Sequence, residues 1–211
     1  MDFELARARL IEYLRSEIKD ERVLDALASV PRDRFVLPEK RNSAYENIPL
    51  SIGLNQTISQ PLIIALMTEA LELTGNEKVL EVGTGSGYQA AILAELVRLV
   101  ITVERLPGLA ERAKTVLNSL GYTNIVVNLA EEILGWQAEA PYDAIMVTAA
   151  CPKVPAVLLD QLEIGGRLVV PVGPRHVQEL YKITRQKRNN IIQILGSCRF
   201  VPLISKDAWI K

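Results

Sequence analysis

Lys78-Val-Leu-Glu-Val-Gly-Thr-Gly-Ser-Gly-Tyr88 decides the fold of this chain: a short apolar run breaks directly into three glycines at alternate positions, Gly83, Gly85 and Gly87. The run reads as a buried strand and the glycines as the turn into a following helix. Without a Cβ, glycine reaches positive φ and lets a ligand approach the main chain, while the amides that open the next helix supply donors and the positive end of its dipole. The spacing is G-x-G-x-G, which departs from the G-x-G-x-x-G of dinucleotide binders and turns the reading away from NAD. The next apolar run, Leu99-Val-Ile-Thr-Val103, closes on Glu104, where a carboxylate at the end of a second strand can accept the hydroxyls of a ribose. A nucleoside-containing cofactor is therefore expected. The plain alternative is a tight turn beside a solvated strand end.

Outward from this segment, apolar runs at 78–82, 99–103, 124–128 and 143–147 alternate with helical periodicity at 88–97, 107–120 and 154–162. Such alternation predicts an α/β fold: a doubly wound, mostly parallel sheet with crossover helices on both faces. Gly165-Gly166 leads into a strand at 167–171, and the runs 179–184 and 191–195 around the polar turn Gln186 to Asn190 predict an antiparallel hairpin at the sheet edge. At the other end of the chain, Phe3, Leu5, Ala6, Leu10, Ile11, Leu14 and Ile18, then Val23, Leu24, Leu27 and Ala28, recur at helical spacing until Val30-Pro31 stops the pattern. From Pro31 to Ser59 the text is loop-like, and an irregular segment of that length is expected to cover a site near the ligand. Ser59-Gln60-Pro61 opens another helix, with Ser59 as a natural N-cap and Pro61 in the first turn. The chain reads as one domain over 1–211, with an N-terminal helical cover and loop over 1–60 and the core and C-terminal tail over 61–211.

Composition bounds the function. With 211 residues, 49% hydrophobic content and a formal net charge of -1, the chain supports a sizeable core and carries no basic excess, so nucleic acid is not an expected partner. The apolar stretches fall short of a membrane span and the N-terminus lacks a signal-peptide core, so a cytoplasmic location and no membrane contact are expected. Cys151 and Cys198 lie far apart near apolar runs and read as reduced structural thiols. The single histidine, His176, builds neither a metal cluster nor a recognisable base, and no metal is expected.

Taken together, several segments resemble one family, the protein-L-isoaspartate (D-aspartate) O-methyltransferases. The matching pieces include Val30-Pro-Arg-Asp-Arg-Phe-Val36, Gln56-Thr-Ile-Ser-Gln-Pro61, Leu80-Glu-Val-Gly-Thr-Gly-Ser-Gly-Tyr-Gln89, Leu134-Gly-Trp136, Val147-Thr-Ala-Ala150 and Gly165-Gly-Arg-Leu-Val-Val-Pro-Val-Gly173, in family order from about residue 30 onward. The glycine loop is common to methyltransferases that use S-adenosyl-L-methionine (AdoMet); Gln56-Thr-Ile-Ser-Gln-Pro61 is the more specific string. The resemblance implies a Rossmann-like class I AdoMet-dependent methyltransferase that methylates the carboxylate of L-isoaspartyl and D-aspartyl residues in damaged proteins and so initiates their repair. It implies AdoMet contacts from Gln56, Thr57, Ile58 and Ser59, from Gly83, Thr84, Gly85, Ser86 and Gly87, from Glu104 at the ribose, and from Glu131 and Glu132. Ser59 falls at the family's active-site serine, and Thr148, Ala149 and Ala150 fall on the substrate side. Read from the residues alone, Ser59 serves equally as a plain helix cap.

Methyl transfer from a sulfonium to a carboxylate needs no general base, because the acceptor is already ionised near neutral pH. That suits a chain with one histidine and no nucleophile–base pair. The sequence departs from the family pattern at Ala130-Glu131-Glu132, where Gly-Asp-Gly is usual, and at Asn55, where glycine usually precedes Gln56. Two adjacent carboxylates are expected to favour cationic AdoMet and repel an isoaspartyl carboxylate, by ~4 kcal/mol at ~4 Å and intermediate dielectric. The alternative function is thus an AdoMet-binding relative with another acceptor or with weakened catalysis. Oligomer formation is left open.

Overall fold

The computed structural model describes residues 2–210. Helices α1 (Phe3–Leu14) and α2 (Glu21–Ser29) open the chain, each started by an aspartate that accepts from first-turn amides: Asp2 from Glu4 and Leu5, Asp20 from Arg22. Two 3₁₀ turns at Arg32–Arg34 and Pro38–Ser43 follow, then a small antiparallel hairpin of β1 (Leu50–Gly53) and β2 (Gln56–Ile58). This hairpin lies where the sequence predicts loop. Its turn residues Leu54 and Asn55 have φ of 52° and 58°, the left-handed pair a tight hairpin requires. Asparagine is suited to that region and leucine is not, so the usual Asn-Gly signature is missing.

Helix α3 (Pro61–Ala70) leads into the main sheet, formed by β3 (Lys78–Val82), β4 (Leu99–Glu104), β5 (Ile125–Leu129), β6 (Tyr142–Val147), β7 (Leu162–Val172), β8 (Gln178–Thr184) and β9 (Ile191–Cys198). Its order is β5-β4-β3-β6-β7-β8-β9. The first five positions pair in parallel, with Leu80 level with Ile101 on one side and Ile145 on the other, and β8 and β9 close the edge as the expected antiparallel hairpin. Connections run through α4 (Tyr88–Ala94), α5 (Pro107–Ser119) and α6 (Ala156–Asp160). Strand β7 is longer than predicted: it incorporates Gly165-Gly166, and a Cβ on Gly166 would sit 2.9 Å from the Asp143 carbonyl. The packing of β7 on β6 therefore needs the glycine.

The chain steps outward from β3 to β4 and β5, then returns across β3 to β6. This reversal opens a crevice at the carboxyl ends of β3, β4 and β6, the position at which doubly wound sheets bind ligands. The core continues through the cover: Leu14, Leu24 and Leu27 of the first helices, Ile52 and Ile58 of the small hairpin, and Tyr88, Ile92 and Leu117 of α4 and α5 form one buried cluster. The cover is thereby fixed over the crevice by apolar contact. Phe200 and Leu203 of the C-terminal segment are buried against the sheet clusters of the same chain.

Candidate active site

The glycine loop sits at the mouth of the crevice, and its three glycines all have positive φ: 105° at Gly83, 55° at Gly85 and 88° at Gly87. Gly83 must lack a side chain, because a Cβ would meet Thr148 Oγ1 at 2.3 Å. Thr148 in turn donates to the Gly83 carbonyl at 2.5 Å, so the end of β6 holds the loop down. Glu104 is buried at the end of β4 and its carboxylate is pinned by two main-chain donors, the amides of Gly85 and Leu106, each at 2.9 Å. A carboxylate offers about four lone-pair sites, so each oxygen of Glu104 keeps capacity for a ligand hydroxyl.

Across the loop lies the strand Gln56–Ile58 and then Ser59. The N-cap of α3 is Gln60 rather than Ser59, and its side chain makes no capping bond. The first available amide of that helix, Leu62 N–H, donates instead to Asn47 Oδ1 at 3.0 Å. Pro61 has no amide to satisfy. Ser59 is thus relieved of the capping duty its sequence position predicts, and it lines the cleft together with Gln56, Thr57 and Ile58.

The remaining wall comes from the loop after β5 and from the C-terminal segment. Glu131, Glu132, Ile133 and Leu134 face Val201 to Lys206 across a cleft of about 370 Å³, within the range for small-molecule sites. Glu132 is at the rim, 86% exposed, and pairs with Lys206 at 3.0 Å. The repulsion expected from two adjacent acids is therefore countered at the rim by a lysine and by solvent. Of the residues the sequence assigns to the substrate side, Thr148 and Ala149 line the cleft; Ala150 is buried beneath it, and its N–H and C=O pair with Val201 and Leu203 to anchor the C-terminal segment. Gly87 also turns away from the cleft: a Cβ there would meet Ala113 and Leu117 of α5 at 3.2–3.3 Å.

Sequence reasoning missed Glu81. It lies fully buried in β3 on the cleft floor, accepts from Thr102 Oγ1 at 2.5 Å, and leaves Oε1 without a partner among the described residues. Thr102 Oγ1 is also 2.6 Å from Thr84 Oγ1, which links the acid to the glycine loop. Burial pushes the Glu81 carboxyl up to about 8, opposed by the Thr102 hydrogen bond and assisted by the charge of Glu104. A glutamate inside an otherwise apolar strand was the available signal. The two thiols are buried, and desolvation pushes Cys151 up to about 12 and Cys198 up to about 11, the behaviour of inert structural cysteines.

These residues fit AdoMet. A carboxylate held open at Glu104 suits a ribose, a Cβ built on Gly85 would have only Ile52 Cδ1 within 4 Å, at 3.5 Å, so the loop is open on that side, and the orphaned Glu81 oxygen is a buried polar atom that a polar group of the ligand can satisfy. An open α/β sheet whose crevice holds this loop and this acid defines a class I AdoMet-dependent methyltransferase. Residues 5–208 match the family model described as Protein-L-isoaspartate(D-aspartate) O-methyltransferase (PCMT). Protein-L-isoaspartate O-methyltransferase 1 of Syntrophobacter fumaroxidans is 52% identical over 211 residues, covering 99% of each chain, and the Geobacter metallireducens protein-L-isoaspartate O-methyltransferase is 49% identical over 99% of this chain and 98% of its own. Among solved structures, a protein-L-isoaspartate O-methyltransferase aligns with TM-score 0.85 at 28% identity, covering 96% of this chain and 67% of the other. A Plasmodium falciparum protein described as a putative protein-L-isoaspartate O-methyltransferase, in complex with S-adenosyl-L-homocysteine, aligns with TM-score 0.79 at 26% identity over 92% and 96% of the two chains. The chain belongs to the protein-L-isoaspartate (D-aspartate) O-methyltransferase family.

Among the described residues no helix is long and apolar enough to cross a membrane.

Proposed function

We propose that this chain methylates the carboxylate of L-isoaspartyl and D-aspartyl residues in damaged proteins, with AdoMet as donor, in the cleft between the glycine loop and the segment Gln56 to Ser59. The observation that carries the reading is the convergence on one cleft of a ribose-type acid, Glu104, and a serine relieved of capping, Ser59. AdoMet supplies an electrophilic methyl group on a sulfonium. The chain's own residues then bind, align and exclude water. Gln56, Thr57 and Ile58 with Gly83, Thr84, Gly85 and Ser86 form the cofactor wall, Glu104 takes the ribose, and Glu131 and Glu132 border the cofactor's outer end. Ser59, Thr148 and Ala149 face the acceptor.

No residue is asked to remove a proton from the acceptor, which is ionised near neutral pH. Alignment of the reactants is the main resource and can supply roughly 7–11 kcal/mol of barrier lowering. Opposite charges neutralise as the methyl moves, so a site shielded from water by the 31–59 cover favours the reaction. The reading takes 1–211 as one domain, supported by the core cluster that joins α1 and α2 to α4 and α5. It places the protein in the cytoplasm, supported by two buried free thiols.

Incubation with methyl-labelled AdoMet and matched normal and isoaspartyl peptides tests the function. Label on the isoaspartyl peptide alone is the expected result. AdoMet binding by calorimetry without transfer to either peptide would leave a binding protein, and absence of AdoMet binding would overturn the assignment.

A further inference from the structure

Arg32 is fully buried in the cover, and among the described residues no carboxylate pairs with it. A buried cation without a counter-ion is costly, so the fold must use it for something its neutral neighbours cannot supply. Its guanidinium donates to three main-chain carbonyls: Ala44 through Nη1, and Ile48 at 3.3 Å and Ser59 at 2.8 Å through Nη2. Its Cζ also lies 5.7 Å from the centroid of the Tyr88 ring. Tyr88 is the first residue of α4, immediately after the glycine loop, and it lines the cleft as Ser59 does. One rigid, planar group therefore touches the cover at two points, the acceptor-side serine at a third and the end of the cofactor loop at a fourth.

We propose that Arg32 is a positioning residue for methyl transfer: it fixes the main chain of Ser59 relative to the glycine loop and so sets the alignment of acceptor against donor. The inference rests on the reading of Ser59 as an acceptor-side residue. Among the described residues Ser59 has no other side-chain tether to its carbonyl; its neighbours are held by the β1–β2 pairing at Ile58 and by the Asn47 bond to Leu62. Lysine cannot reproduce the arrangement, because a point charge on a flexible stem lacks both the fork that spans separate carbonyls and the flat face that stacks on tyrosine. Small displacements at a reacting centre cost large factors in rate, since alignment supplies much of the barrier lowering.

The test is a cycle of Arg32→Lys, Ser59→Ala and the double variant, with turnover on an isoaspartyl peptide at saturating AdoMet, calorimetric AdoMet affinity and thermal stability read for each. Arg32→Lys is expected to lower kcat at least tenfold while AdoMet affinity stays within about twofold. In the Ser59→Ala background the same change is expected to cost less than threefold, because there is no longer a serine to position. Equal losses in both backgrounds, or a loss of AdoMet affinity in step with kcat, would overturn the proposal and leave Arg32 a structural residue. Should Arg32→Lys fail to fold, Arg32→Gln carries the same cycle with the buried charge removed and part of the donor set kept. Wild-type turnover in Ser59→Ala alone would instead sink the underlying reading of Ser59, so the two failures are distinguishable.

Discussion

The wall proposed for the cofactor, Gly83 to Ser86 with Glu104, takes its geometry from two adjacent parallel strands and a hydrogen bond between residues 19 apart, whereas the wall proposed for the acceptor brings Ser59 together with Thr148 and Ala149, segments with no local relation to one another. The first wall is mostly backbone: a loop whose glycines take positive φ, two amides and one pinned acid. In the second, the Ser59 segment is held in place by side chains that do not line the cleft, Arg32 and Asn47. Damage to the cofactor wall should therefore appear in binding and damage to the acceptor wall in turnover.

Gly83→Ala should give the largest effect. The new Cβ would lie 2.3 Å from Thr148 Oγ1 at a φ of 105°, so AdoMet affinity should fall by more than about a hundredfold, measured by calorimetry. Affinity within tenfold of the parent would mean that main-chain shape does not define this wall. Glu104→Gln comes next: loss of charge-assisted bonds worth about 1.5–3 kcal/mol should raise the AdoMet dissociation constant roughly ten- to a hundredfold, with kcat at saturation little changed. Ser59→Ala should show the opposite signature, a kcat lowered about tenfold, near 1.4 kcal/mol, at unchanged AdoMet affinity. Equal loss of both would erase the division between the walls.

Glu81 sharpens the comparison from below. Its folded pKa, about 8, stands above the ordinary carboxylate value of 4.5, so the native state holds a proton that the unfolded state releases. Stability from this group is complete below about 4.5 and is lost as pH rises towards 8. Glu81→Gln should flatten that slope in urea titrations at several pH values, and an unchanged slope would show that Glu81 is not its source. The smallest effect belongs to Glu132→Gly. The exposed pair with Lys206 is worth at most about 1 kcal/mol, so KM for the peptide should move less than about threefold, and the change should fade with added salt.

Local chemistry explains what the sequence made legible. The β3 strand, its glycines and Glu104 could be read because each uses a residue type that few other settings require, and the edge hairpin followed from two apolar runs about a polar turn. The β1–β2 hairpin escaped because Leu54 occupies a left-handed position that normally calls for glycine or asparagine. Ser59 reads as a cap because nothing near it in sequence shows that Asn47 performs that task from fifteen residues away. The Glu132 ion pair was equally invisible, since its partner is Lys206, 74 positions on. Glu81 lay in plain view within the quoted strand, yet an acid in an apolar run declares its importance only once burial is known.

The borrowed cap on α3 has a consequence for how the molecule comes apart. At its start the helix depends on Asn47, and near its end Glu69 accepts the amides of Lys19 and Asp20 at 2.7 and 2.8 Å, so both ends are fastened to the N-terminal third of the chain. Opening that third would strip α3 of its fastenings while its apolar face is still docked on α4 and the sheet. Amide exchange at Leu62 should thus proceed at the rate of global unfolding, and an early, separate exchange there would show the N-terminal third lifting as an independent unit.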